Sequence, residues 1–90
     1  MTANTSINPS TKYLKYIYED DLGFNTFTVS FSSEVFETPL GSRYNKKIYP
    51  PDLMRQQIKF HVFTLYKEKL GIISAQEYLI DFNEKRTKVQ

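Results

Sequence analysis

From Thr26 to Ser32 hydroxylated and apolar side chains alternate without a break: Thr26, Thr28, Ser30 and Ser32 fall on one side of the chain, Phe27, Val29 and Phe31 on the other. Successive side chains of an extended chain point to opposite faces, so this pattern suits a strand and not a helix. It also asks for a sheet that is covered on one face and wet on the other. The segment Lys12 to Tyr18 has the aromatic and β-branched content of a second strand. Neither of its faces is cleanly polar, so a central strand and an aromatic-rich helical turn both fit it. Between the two lies Glu19-Asp20-Asp21-Leu22-Gly23, in which acidic side chains can bond to nearby backbone and glycine permits a positive φ. The three pieces together read as a β-hairpin.

Val35 and Phe36 continue the apolar signal after a bend at Ser32-Ser33, and Thr38-Pro39-Leu40-Gly41 interrupts the chain. Residues 42–45 read as loop and Lys46 to Tyr49 as a candidate short third strand. Pro50 and Pro51 then suit the start of a helix, where no backbone donor is needed. From Asp52 to Leu70, Met54, Ile58, Val62, Leu65 and Tyr66 form one apolar stripe. Asp52 complements the positive end of the helix dipole, Lys67 and Lys69 the negative end. Gly71 suits the residue that follows a helix.

Ser74-Ala75-Gln76-Glu77 has the spacing of a capping box, with serine at the N-cap and glutamate three residues on. It predicts a second helix from Ala75 to about Lys85, with Ala75, Tyr78, Leu79 and Phe82 as its stripe. The expected fold is α+β: a small antiparallel sheet, made of the hairpin plus the candidate third strand, packed against a C-terminal helical hairpin. Residues 1–10 are expected to be a disordered arm, 11–85 a single domain and 86–90 a frayed tail.

Ninety residues suit one domain with one core. Seven Tyr and seven Phe supply large buried areas to such a core. The absence of cysteine removes disulfides, thiolate metal sites and thiol catalysis together. The polar first ten residues lack the pattern of a signal peptide, and no apolar run reaches membrane-spanning length, so the expected compartment is the cytoplasm. Charge is uneven: residues 43–90 carry ten Lys and Arg against five Asp and Glu, while the first half is net acidic.

Chemistry-bearing patterns are sparse. His61 is the single histidine and has no Ser/His/Asp arrangement around it in sequence. Glu19, Asp20 and Asp21 are fully explained by turn chemistry and are too few for a calcium loop. Gly23, Gly41 and Gly71 each fall at a break, and none belongs to a phosphate-cradling loop. The sequence therefore points away from an enzyme, a metal site, a cofactor or a small-molecule substrate. Two binding readings remain. Phe60 and Ile80 lie off the apolar stripes of the expected helices, and Phe63 lies at the edge of one. They would suit an adaptor, accessory subunit or regulator that docks on another protein or on a second copy of itself. The alternative is nucleic-acid binding by the basic second half. There Arg43, Lys46, Lys47, Arg55 and Lys59 would meet phosphates, and Tyr44 and Tyr49 would stack on bases.

Overall fold

A computed structural model describes residues 7–38, 41, 43–45, 47–48 and 50–89. The described residues build six strands and one helix. Strand β1 spans Thr11–Asp20, β2 Gly23–Ser30, β3 Val35–Glu37 and β4 Arg43–Asn45. Helix α1 covers residues 51–69, and β5 (Ser74–Asp81) and β6 (Arg86–Val89) follow it. The main sheet is antiparallel throughout, in the order β2-β1-β5-β6; β3 and β4 form a separate two-stranded ribbon.

The β1–β2 hairpin turns at Asp21-Leu22. Asp20 accepts the Leu22 N–H on Oδ1 at 2.9 Å, and Gly23 takes a φ of 122°, which a side chain would strain. Register follows the alternation: Leu14 opposes Val29 and Tyr16 opposes Phe27 on the helix side, while Lys15 opposes Thr28 on the other. The Tyr16 and Phe27 rings stack with centroids 4.9 Å apart. Thr26 and Thr28 are exposed, as a sheet covered on one face requires.

The helix lies over the face that carries Leu14, Tyr16, Val29 and Leu79. Its own contribution is Met54, Ile58, Val62 and Tyr66, all buried, with Ile72 and Val89 closing the core. Those four helix positions repeat every fourth residue. A regular α-helix would rotate such a stripe by about 40° at each step. Here residues His61–Leu65 form a π-helical turn, and the Tyr66 N–H donates to the His61 carbonyl five residues back. The wider turn lowers the rotation per residue and brings Tyr66 back over the sheet. Gly71, at φ 65°, ends the helix.

The expected C-terminal helical hairpin is not present: the described residues contain one helix, and residues 74–81 are the third strand of the sheet. The capping-box pattern at Ser74 is a local signal. Against it stand eight backbone positions that complete the free edge of β1, from Glu19↔Ser74 to Thr11↔Asp81. A hairpin loop follows, in which the Asp81 carboxylate accepts the N–H groups of Asn83 and Lys85, both at 2.9 Å. Residues 86–89 pair with β5 from Ile80↔Arg86 to Glu77↔Val89. Residues 43–45, read as loop, are β4, paired with β3. Of the candidate third strand, Lys46 and Tyr49 lie outside the described residues, and Lys47 and Ile48 form a turn. Of the arm, residues 1–6 lie outside them. Ile7 packs against the core, and its N–H donates to Asp52 Oδ1 at 2.8 Å.

Candidate nucleic-acid interface

Because β5 and β6 complete the sheet, its second face becomes a surface built from four strands. Two register rows cross it. One runs Thr28, Lys15, Tyr78, Lys88, and the next runs Ser30, Tyr13, Ile80, Arg86. Tyr78 therefore has a lysine directly opposite it on each neighbouring strand. The Arg86 guanidinium sits over its ring as well, 5.5 Å from the centroid, a cation–π arrangement. Three cationic residues thus neighbour Tyr78, two by register and one over its ring.

Toward the hairpin tip the face continues through Thr26, Ile17 and Gln76 to Phe24, which is 77% exposed. A groove of about 270 Å³ crosses there, with Phe24, Tyr78, Ile17, Gln76 and Lys88 among its walls. Carboxylates bound the cationic tract at its two ends. Glu19 lies beside Phe24, and Glu84 accepts hydrogen bonds from Lys12 Nζ at 2.8 Å and from the Tyr13 hydroxyl at 3.3 Å. The hydrogen bond with Glu84 raises the Lys12 ammonium pKa, and the bond from Lys12 lowers that of the Glu84 carboxyl. Both stay charged, and Glu84 faces a cation of its own.

The helix face of the sheet holds a different arrangement. Glu77, on β5, is fully buried; Arg55 Nε donates to its Oε1 at 3.0 Å, and the Tyr16 hydroxyl donates to its Oε2 at 2.5 Å. Burial first, and then the adjacent carboxylate, hold the Tyr16 phenol pKa far above its ordinary value. This network fastens the helix to the sheet.

The residues singled out in the sequence are scattered by the fold. Tyr44 is 6% exposed and part of the core, its ring 6.0 Å from that of His61. Arg55 is turned inward to Glu77, Arg43 is exposed and 3.6 Å from Glu37, and Lys47 is exposed in a turn. Lys59 is half-buried on the helix flank, and Lys46 and Tyr49 lie outside the described residues. Phe60 and Phe63 are exposed on the helix, at 57% and 38%. Ile80 is on a strand and 1% exposed; in the register it lies between Tyr13 and Arg86. His61 packs its ring against Phe60 and Tyr66, and Asp20 serves the hairpin turn. Among the described residues no three His, Asp or Glu side chains group as metal ligands do. None of the described helix is long and apolar enough to cross a membrane.

No protein-family model, curated protein or solved structure matches this chain. Of the residues singled out in the sequence, Ile80 falls on the open face but is buried there; Lys15, Tyr78, Arg86 and Lys88 come from three strands, two of which the sequence pattern reads as helix and tail. One signal was present: Arg86-Thr87-Lys88 is a short alternation of cations about a β-branched residue, and strands accept such a pattern.

Proposed function

We infer that the protein is a non-catalytic binding module whose open sheet face receives a short stretch of single-stranded nucleic acid. The observation that carries this is the placing of Lys15 and Lys88 opposite Tyr78 on its two neighbouring strands, with the Arg86 guanidinium over its ring. A sheet face with aromatic rings and interspersed cations offers stacking to unpaired bases and charge to the phosphates between them. Tyr13, Tyr78 and Phe24 supply the rings. Across four strands the face measures about 14 Å, enough for about two or three stacked bases. A flat sheet face fits a splayed single strand better than it fits the groove of a duplex.

The exposed Phe60 and Phe63 favour a second reading, in which the helix flank docks on another protein. Backbone amide NMR separates the two. On adding an unstructured oligonucleotide at low salt, the inferred site shifts the amides of Lys15, Tyr78, Arg86 and Lys88 and leaves those of residues 59–64 in place. No shift, or shifts confined to the helix, would overturn the nucleic-acid reading.

A further inference from the structure

The two edges of the main sheet differ in kind. β6 is four residues long and carries Arg86 and Lys88. β2, at the other edge, is eight residues long and has neither a charge nor a proline. Its register with β1 runs unbroken from Tyr13↔Ser30 to Asp20↔Gly23, so no bulge twists it away. Natural edge strands are normally blunted by charge, proline, bulges or shortness. β6 has two of these devices and β2 has none.

Backbone geometry shows which groups this edge offers. The Phe31 N–H donates to the Lys12 carbonyl at 3.1 Å. Bonding alternates along an antiparallel strand, so the odd-numbered residues of β2 turn their N–H and C=O toward β1. Phe24, Thr26, Thr28 and Ser30 turn theirs outward, and among the described residues no strand pairs with them.

We propose that the outer edge of β2 pairs antiparallel with the same edge of a second copy of this chain. A two-fold axis normal to the sheet keeps each face on its own side, so residues of like parity must meet. A register centred on Thr26 satisfies this and matches outward-bonding positions. Thr26 opposes Thr26 of the second copy, and the exposed Phe24 opposes Thr28, an aromatic and β-branched pair. No charge meets a like charge along the strand. Pairing two β6 edges would instead bring Arg86 and Lys88 against each other. The same asymmetry ends growth of the main sheet at two copies, because the joined sheet has β6 at both of its edges. The proposal stands apart from the nucleic-acid reading, although the open face would then continue across eight strands.

Sedimentation velocity on the full chain, from low to high micromolar concentration, tests it. The wild type is expected to pass from monomer to dimer and no further. A Thr26→Lys, Thr28→Lys variant is expected to stay monomeric over the same range with an unchanged circular-dichroism spectrum, since both side chains point to solvent. A wild type that remains monomeric, a charged-edge variant that dimerises as the wild type does, or a wild type that grows beyond two copies would each overturn it. A dimer abolished by Phe60→Ala and untouched by the lysines would also overturn it, by placing the interface on the helix.

Discussion

Arg55 reaches from the helix to the sheet and donates its Nε–H to the Glu77 carboxylate at 3.0 Å, inside the core of a small domain. Removing one partner of such a pair leaves a buried charge poorly compensated, which typically costs about 3–5 kcal/mol. Glu77→Ala is therefore expected to bring the protein close to unfolding. Replacing both partners by apolar residues, as in Arg55→Met with Glu77→Leu, is expected to cost far less than the two single changes added. Urea denaturation of the three variants measures this. Strict additivity would mean that the pair is not coupled as its geometry implies.

Tyr16, the second donor to Glu77, makes stability depend on alkaline pH. Its folded pKa is raised, so its contribution is complete below the unfolded phenol value, near 10, and is lost as pH rises beyond it. Above about pH 10 the unfolded chain releases this proton and the folded chain keeps it. Stability then falls by about 1.4 kcal/mol per pH unit from this group. Tyr16→Phe is expected to be less stable at neutral pH by about 1–3 kcal/mol, because a buried acceptor loses a donor. Its deficit against the wild type should shrink above pH 10. A constant deficit from pH 8 to 11 would contradict the assignment.

Ile80 and Phe60 should respond in opposite ways to truncation. Ile80→Ala removes a side chain that is 1% exposed and is expected to cost about 2–5 kcal/mol. Phe60→Ala removes one that is 57% exposed and is expected to cost less than about 1 kcal/mol. Thermal or urea unfolding of both would decide it. A costly Phe60 with a cheap Ile80 would argue that residues 74–81 are not a strand in this register.

How much of this could be read beforehand depends on how local the cause was. The hairpin is legible because Thr26 to Ser32 alternate strictly and Asp20 to Gly23 hold their own turn chemistry. The helix is legible because Pro51, the four-residue spacing from Met54 to Tyr66, and Gly71 agree. The segment from Ser74 is not legible in this way. Its Ser-x-x-Glu pattern suits an N-cap, and Tyr78, Leu79 and Ile80 are apolar in a row, which hides the alternation of a strand covered on one face. What decides its state is the unpaired edge of β1, more than fifty residues away in sequence. The open-face site inherits that dependence. Lys15, Tyr78 and Lys88 become neighbours only through the β1–β5 and β5–β6 registers, and no spacing within the sequence brings them together.

If the open face holds single-stranded nucleic acid by its cations and rings, binding should depend on salt in a defined way. Fluorescence anisotropy of a labelled, unstructured oligonucleotide would be followed from low to moderate salt for the wild type, for Tyr78→Ala, and for the triple variant Lys15→Ala, Lys88→Ala, Arg86→Ala. Each neutralised phosphate on a single strand contributes about −0.7 to the slope of log K against log salt. Three contacts give the wild type a slope of about −2. Tyr78→Ala is expected to weaken binding at every salt concentration and to keep that slope, because stacking releases no counterions. The triple variant is expected to bind weakly with a slope near zero. A wild type that fails to bind at low salt, or a triple variant whose affinity and slope match those of the wild type, would contradict the claim.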